Sequence, residues 1–305
     1  MKDYSMPNVS VIMNCYNGAE FLRDAIDSVY AQTYNNWEII LWDDDSDDNT
    51  REIASSYDKK LRYFKGQKAK NLGEVRNRAI RKARGKLLAF LDQDDKWLPK
   101  KLEMQISKFD SENVGLVYSN FYYYNKKTGS KNVAFKKNYE QKREFKDFLR
   151  NYNINMQTAI IRNLPENRFN PMLTISEEYE LFMLILSRSK TRYVSVPLSI
   201  YQIHDGMQSL KKIHLYPYEM QTALETFNSE IDGFKDKYKS EIRYLRFKIE
   251  YYKARAAMAV GDRSKALALL IHSEGSIIKR GFLVFLVVLG KRVWHKIHEI
   301  TNRYH

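Results

Sequence analysis

The stretch VSVIMNCYNGAEFLRDAIDSVYAQTYNNWEIILWDDD, residues 9–45, decides the fold class of this chain. Residues 9–13 and 37–42 are short apolar runs, and each is followed at once by polar residues, so both are predicted to be buried strands. Between them, apolar residues recur at helical spacing over 21–29. A strand, a helix and a second buried strand of these lengths predict a βαβ unit with parallel strands.

The same alternation continues along the chain. Residues 50–57 and 75–84 have helical patterns, and 87–91 (LLAFL) is another apolar strand. From residue 214 onward the pattern is helical throughout. We therefore expect an α/β fold, with a mostly parallel sheet flanked by helices over 1–213 and a helical C-terminal region over 214–305.

Composition excludes several classes of protein. The chain has 305 residues, of which 44% are hydrophobic, so it can bury a sizeable core and is not disordered. Its single cysteine, Cys15, excludes an internal disulfide framework and a multi-thiolate zinc site, and it favours a reducing compartment. The net charge of +14 would suit nucleic acid, anionic lipid or a phosphorylated substrate. No groove-binding or stacking module accompanies that charge, so we predict no nucleic-acid partner.

Three acidic clusters lie at predicted strand ends or in an adjoining segment, at residues 43–45, 92–95 and 177–178. An acidic run is ordinarily a solvated loop. The second cluster differs because an apolar strand leads directly into three carboxylates, which concentrates negative charge that needs a counterion. Hard divalent cations such as Mg²⁺ and Mn²⁺ take oxygen ligands and keep positions for substrate phosphates, so this cluster predicts a metal site.

A set of short blocks occurs in order over residues 7–210. They are VSVIMNCYN (9–17), EIILWDDDS (38–46), NLG (71–73), RN (76–77), ARG (83–85), FLDQDD (90–95), SEEYEL (176–181), PL (197–198) and YQIH (201–204). Together these blocks resemble a family 2 nucleotide-sugar glycosyltransferase of the GT-A fold, of the kind that builds bacterial surface glycans. The resemblance implies a 1–213 domain that binds a nucleotide sugar and performs catalysis.

The resemblance implies a nucleotide pocket at the ends of the first two strands. Asp43 or Asp44 would accept a hydrogen bond from the base, which in this family is typically uracil. Arg76 would lie near the nucleotide or its phosphates. The full set implied for the nucleotide is Cys15, Tyr16, Asn17, Asp43, Asp44, Arg76 and Asp92.

The resemblance also implies a divalent metal, Mn²⁺ or Mg²⁺. Asp94 would be the better ligand, Asp92 would lie nearer the ribose or sugar, and His204 would contact the diphosphate or metal from a closing loop. Glu178 stands where the family has a catalytic aspartate, and we favour it as the general base over its neighbour Glu177.

These residues predict an inverting, metal-dependent enzyme that moves a sugar from a UDP-sugar to a hydroxyl of a glycan or lipid-linked acceptor in bacterial surface polysaccharide synthesis. The alternative is a catalytically silent sugar-nucleotide-binding or scaffold protein of the same fold, because glutamate replaces the expected aspartate at position 178.

The C-terminal region raises the question of a membrane. Residues 282–289 (FLVFLVVL) are apolar and flanked by basic pairs, and Trp294 follows. Eight residues cannot cross about 30 Å of hydrocarbon, which needs about 20 helical residues. We expect residues 277–298 to form a helix on an anionic membrane surface, with the protein cytoplasmic and peripheral on the inner face of the cytoplasmic membrane. The alternatives are that this helix is core or a contact between subunits of a homo-oligomer.

Overall fold

The structure is a computed structural model that describes residues 7–135, 143–204, 212–274, 276–291 and 293–294. The chain divides into two compact units. The first comprises Met1–Phe145 and Asn153–Met207, and the second comprises Lys146–Tyr152 and Gln208–His305. The short segment Lys146–Tyr152 therefore belongs with the C-terminal helices, although it lies inside the predicted 1–213 domain.

The first unit begins with the predicted βαβ arrangement. Strand β1 spans Val9–Cys15, helix α1 spans Ala19–Tyr30, and strand β2 spans Trp37–Asp43. The apolar stripe of α1 is buried on the sheet, and β1 and β2 are parallel with Cys15 opposite Asp43. This register places the residues that follow both strands at the same edge of the sheet.

The parallel part of the sheet has four strands in the order β3-β2-β1-β4. The elements that complete it are α2 (Thr50–Ser55), β3 (Leu61–Lys65), α3 (Leu72–Ile80) and β4 (Leu87–Phe90). Strand β4 is buried throughout because it lies between β1 and a later strand. Its carboxyl end carries the acidic cluster to the same edge as the ends of β1 and β2.

The rest of the sheet mixes antiparallel and parallel pairs. Its order continues from β4 as β8-β6-β9-β5, with β7 paired to β6. The elements are β5 (Lys96–Trp97), α4 (Lys101–Ile106), β6 (Val114–Asn125), β7 (Lys131–Val133), α5 (Phe145–Arg150), β8 (Ile160–Arg162), α6 (Glu177–Arg188) and β9 (Lys190–Ile203). The long pairing of β6 with β9 is parallel, whereas β8 is antiparallel to both of its neighbours.

The second unit is helical, as the pattern after residue 214 predicts. Its main helices are α7 (Tyr216–Glu230), α8 (Phe234–Lys237), α9 (Lys239–Val260), α10 (Arg263–Ile271) and α11 (Ile277–Leu289). Helix α9 is followed by Gly261, whose φ of 86° lies in the left-handed region that favours glycine. The Asp262 side chain then accepts the Lys265 N–H and caps α10, which closes the hairpin.

Helix α11 ends at Leu289, so it is shorter than the predicted 277–298 segment. Residues 295–298 of that segment lie outside the described part of the chain. In the ranges that the structure describes, we find no helix with the length and hydrophobicity needed to cross a bilayer.

Candidate active site

The acidic cluster begins where buried strand β4 ends. Asp92 and Asp94 are partly exposed there, whereas Asp95 is buried. The Asp95 carboxylate accepts the backbone N–H of Gln202 at 2.9 Å, and the Gln202 side chain donates to the Asp94 carbonyl. These bonds attach the end of β9 to the acidic cluster. They explain how His204, at the end of β9, reaches residues 110 positions earlier in the chain.

His204 and Asp94 lie side by side. The His204 Nε2 atom is 2.9 Å from Asp94 Oδ2, and the imidazole packs on the Phe21 ring with centroids 4.8 Å apart. Burial raises the pKa of the Asp94 carboxyl, and the nearby Asp92 charge raises it further. Burial, followed by the charges of Asp94 and Asp92, holds the pKa of Asp95 well above its ordinary value.

The donor set fits a hard divalent cation. The Asp94 carboxylate and the His204 imidazole lie together at the sheet edge, and a bound cation would relieve the repulsion between Asp94 and the nearby Asp92. In the described ranges, no group of three His, Cys, Asp or Glu side chains is already arranged as a metal cluster. Asp94, Asp92 and His204, the predicted ligands, would therefore need to adjust around the ion.

A stability test follows from the buried acid Asp95. Because the pKa of the Asp95 carboxyl is raised in the folded chain, the folded state favours the protonated form. Ionisation of this carboxyl therefore lowers the free energy of unfolding as the pH rises from the unfolded pKa, about 3.9, through the folded value. We expect Asp95→Asn, measured in EDTA, to have a higher Tm than wild type at about pH 7, by roughly 2–4 °C for each kcal/mol gained. The difference should disappear near pH 4. The surface substitution Asp110→Asn is the control, and a lower Tm for Asp95→Asn at about pH 7 would contradict the assignment.

Arg76 connects the acidic cluster to the start of α6. The buried guanidinium donates to Asp92 Oδ1 at 2.9 Å and, on its other side, to Glu177 Oε1. The Phe169 ring lies 5.7 Å from the guanidinium carbon. Arg76, predicted to lie near the nucleotide, is thus held between two carboxylates and orients Asp92.

The two glutamates at the start of α6 have different surroundings. Glu177 is buried and bound to Arg76, whereas Glu178 is only half-buried in the same first turn. A buried carboxylate held by a guanidinium is poorly placed to meet an acceptor. The geometry therefore separates the two candidates for the base, and Glu178 is the more accessible.

Helix α3 fixes the segment that leads into α6. Asn77 Nδ2 donates to the Phe169 carbonyl at 2.7 Å, and the Phe169 N–H donates to Asn77 Oδ1 at 3.0 Å. Gly73 lies so close to the Asn170 carbonyl that an added Cβ would collide with it. Residues of the NLG and RN blocks make these contacts. The contacts position residues 169–173 just before Glu177.

The predicted base-binding acids differ in their engagement. Both carboxylate oxygens of Asp43 are engaged, because Oδ1 accepts the Ser46 N–H at 2.8 Å and Oδ2 accepts the Tyr63 hydroxyl at 2.5 Å. Asp44 Oδ1 accepts the Ala69 N–H at 3.0 Å, and burial raises the pKa of its carboxyl. Asp43 therefore shapes the end of β2, and Asp44 is the better candidate for contact with a base.

The loop after β1 is held against both acidic segments. The Tyr16 N–H donates to the Gln93 side chain at 2.9 Å, and the Asn17 N–H donates to Ser46 Oγ at 2.9 Å. Cys15 is buried with its Sγ 3.5 Å from Thr50 Oγ1, and burial raises its pKa to about 12. Cys15 is therefore a neutral packing residue beneath the loop, and Asn17, with a positive φ of 48°, shapes the turn.

Lys68 is a candidate residue that the sequence motifs do not reveal. Its ammonium lies 3.8 Å from the centroid of the exposed Tyr16 ring, which creates a cation–π contact beside Asp44. It belongs to the connection between β3 and α3, outside every recognisable block. The only sequence signal is a cluster of lysines at 65, 68 and 70, which is also typical of a solvated loop.

Comparisons with known proteins identify the family to which this chain belongs. The model of glycosyl transferase family 2 matches residues 10–164. This chain belongs to glycosyl transferase family 2. The first six blocks and the first two acidic clusters lie wholly or largely in the matched range, and the last three blocks and the third cluster lie beyond it. The predicted family is confirmed. It is an enzyme, a glycosyltransferase.

Curated relatives of this family 2 chain include two proteins of Escherichia coli, WfgD and WfaP. WfgD is 35% identical over 61% of this chain and 71% of its own length. WfaP is 32% identical over 68% of this chain and 82% of its own length. Both are named as UDP-Glc:α-D-GlcNAc-diphosphoundecaprenol β-1,3-glucosyltransferases. These named transferases do not favour the alternative of a silent scaffold.

Solved structures support the predicted fold. Residues 1–349 of TarS from S. aureus, in complex with UDP-GlcNAc, match with a TM-score of 0.59 over 95% of this chain and 92% of that chain, at 15% identity. The mannosyltransferase PcManGT from Pyrobaculum calidifontis, in complex with GDP-Man and Mn²⁺, matches with a TM-score of 0.60 over 95% and 83%, at 17% identity. At these identities the likeness concerns the fold, and the predicted GT-A class is confirmed.

Proposed function

We propose that this enzyme transfers a sugar from a UDP-sugar to a hydroxyl of a lipid-linked glycan, with inversion at the anomeric carbon, in the synthesis of a bacterial surface polysaccharide. The observation that carries the proposal is that Arg76 bonds to both Asp92 and Glu177, which brings the start of α6, with Glu178, next to the acidic cluster that contains the Asp94–His204 pair. The names of the Escherichia coli relatives support UDP-glucose as the first donor to test and a GlcNAc-diphospholipid as the first acceptor.

The donor nucleotide would bind at the ends of β1 and β2. Asp44 can accept the imide N–H of uracil through the carboxylate oxygen that does not bind Ala69. The exposed Tyr16 ring offers an apolar face for the base, and the Lys68 ammonium over that ring brings positive charge toward the phosphates. Arg76 would act through Asp92 rather than as the main phosphate contact.

A test of the nucleotide pocket compares two adjacent acids. We expect Asp44→Ala to weaken UDP binding by roughly 10- to 100-fold, since loss of a charged hydrogen-bond partner costs about 1.5–3 kcal/mol. The neighbouring Asp45→Asn should bind UDP as wild type does, because Asp45 is exposed, its partner is Lys65, and asparagine tolerates the positive φ of 72° at this position. Isothermal titration calorimetry measures both. Equal affinity in the two variants would mean that the base binds elsewhere.

Asp94, Asp92 and His204 would hold a divalent cation. When bound, Mn²⁺ or Mg²⁺ supplies Lewis-acid stabilisation of the charge that develops on the leaving diphosphate. The chain's own contribution is to hold Asp92 in place through Arg76 and Glu177, and to hold His204 against Asp94 through the end of β9.

Glu178 would accept the proton of the acceptor hydroxyl as its oxygen attacks the anomeric carbon. The new carbon–oxygen bond forms as the bond to the diphosphate oxygen breaks, and the electron pair of that bond leaves with UDP. Attack on the face opposite the leaving group inverts the configuration, by the geometric reasoning that applies to inverting glycosidases. Glu177 is a positioning residue in this scheme because its carboxylate orients Arg76.

The acceptor defines where the enzyme would work. A lipid diphosphate holds its sugar at a membrane surface, so we place the enzyme in the cytoplasm, peripheral on the inner face of the cytoplasmic membrane. The residues of the 1–213 region would bind the donor and perform catalysis. The helical region would bring them to the acceptor.

The proposal is tested by incubating the full chain with UDP-glucose, Mn²⁺ and a synthetic GlcNAc-diphospholipid, and by following UDP release and the mass of the lipid product. A hexose added to the acceptor is the expected result. UDP-GlcNAc, UDP-galactose and GDP-mannose serve as alternative donors. Absence of product with every donor, in a preparation that binds UDP, would overturn the proposed function.

A further inference from the structure

Helix α11 has two apolar faces, and the structure buries only one of them. Leu286 and Val287 are buried and belong to the core of the helical unit, together with residues of α9 and α10. A second apolar stripe, which faces away from Val287, contains Ile278, Phe282, Phe285 and Leu289. Their spacing of four, three and four residues places these side chains along one side of the helix.

The second stripe is strongly exposed for such large side chains. Ile278 is 83% exposed, and Phe282 and Phe285 are 54% and 56% exposed. Val260, at the end of α9, is 81% exposed, and the Lys291 ammonium donates to the carbonyl of the preceding Ala259 at 2.6 Å. The end of α9, with its own exposed Val260, therefore lies near the end of α11. An apolar patch of this kind on a folded protein indicates a binding surface.

The charges around this stripe are positive. Lys279 lies in the first turn of α11, Lys291 follows its end, and the Arg263 guanidinium donates to the Val288 carbonyl at 2.5 Å. Helix α11 itself contains no acidic residue, and residues 261–305 carry eight basic against three acidic side chains. A second copy packed symmetrically on this stripe would bring like charges together, whereas anionic headgroups would neutralise them.

The length of α11 determines how it would meet a bilayer. Thirteen residues at about 1.5 Å each span about 20 Å, which is less than the roughly 30 Å of hydrocarbon. Its inner face is also committed to the core of the helical unit. We infer that the stripe Ile278–Phe282–Phe285–Leu289 lies in the headgroup region of an anionic membrane, parallel to its plane, with the basic residues at both ends on lipid phosphates.

The biological role of this membrane contact rests on the proposed function, because a lipid-linked acceptor lies at such a surface. The test of the contact itself does not require enzyme activity. Full-length wild type is sedimented with phosphatidylcholine vesicles that contain or lack phosphatidylglycerol, at low and at high salt. We expect binding to the anionic vesicles only, with weaker binding at high salt. The variant Phe282→Ser/Phe285→Ser should lose about ten-fold or more in partition coefficient. The matched control Val196→Ser/Tyr218→Ser removes two exposed apolar side chains elsewhere and should bind as wild type does.

Three outcomes would overturn the inference. The first is wild type that stays in the supernatant with anionic vesicles at low salt. The second is a Phe282→Ser/Phe285→Ser variant that binds as tightly as wild type. The third is a wild type that does not bind vesicles but forms a dimer, detected by light scattering, that the variant does not form. That result would assign the stripe to a contact between two copies of the chain. Transfer to a water-soluble short-chain acceptor should be equal in all three proteins, and its absence in all of them would count against the proposed function instead.

Discussion

Replacing Glu178 with glutamine should lower kcat by about 10²- to 10⁴-fold, the usual contribution of a positioned general base. Glutamine keeps the size of the side chain but cannot accept the acceptor proton. Because Glu178 does not belong to the pocket proposed for the nucleotide, UDP affinity should remain at the wild-type level. Initial rates of transfer and calorimetry with UDP measure the two effects separately.

The neighbouring variant Glu177→Gln is the informative control. It leaves the proposed base in place but weakens the hold on Arg76, and therefore the orientation of Asp92. We expect a smaller loss of kcat together with a raised requirement for Mn²⁺, which a base substitution would not produce. If Glu177→Gln abolished transfer with an unchanged metal requirement while Glu178→Gln stayed active, the roles of the two residues would be reversed.

Replacing Asp94 with alanine should reduce transfer by about 10³-fold or more, because stabilisation of the leaving diphosphate by a metal is worth several kcal/mol. The fold should persist, since Asp94 is partly exposed and its removal relieves repulsion with Asp92 and Asp95. Transfer rates at increasing Mn²⁺, together with thermal unfolding, check both statements. Asp47→Ala removes an exposed acid outside the cluster and should retain activity.

Wild-type enzyme treated with EDTA should lose activity and regain it when Mn²⁺ is added. Full activity of Asp94→Ala, or full activity of wild type in EDTA, would contradict a metal-dependent mechanism at this cluster.

The strands that carry the site were predictable because burial on both faces leaves a continuous apolar run. This holds for β1, β2 and β4, each of which ends abruptly in polar residues. Strand β3 has the sequence LRYFK and is only partly buried, so no apolar run indicates it. Strand β8 has only three residues, Ile160–Arg162, and follows a 3-10 turn at Met156–Thr158, so it is too short to leave a distinctive apolar run.

The side-chain contacts within the site depend on tertiary structure, so the spacing of residues along the chain does not predict them. The sequence predicts acidic clusters at strand ends, and the order of the parallel strands brings Asp44 and Asp94 to the same edge of the sheet. It did not predict that Arg76 would bind Glu177, a residue 101 positions later, or that Lys68 would lie over Tyr16. Those contacts follow from how α3 packs against residues 169–173 and from the course of the connection between β3 and α3.

The configuration of the transferred sugar tests the central claim most directly. In the proposed mechanism, an acceptor activated by Glu178 would attack opposite the diphosphate at Asp94 and would invert the α configuration of the UDP-sugar. The product formed from UDP-glucose and the GlcNAc-diphospholipid, isolated and examined by proton NMR, should therefore contain a β-linked glucose. An α-linked product would require retention of configuration and would contradict the assigned roles of Glu178 and the acidic cluster.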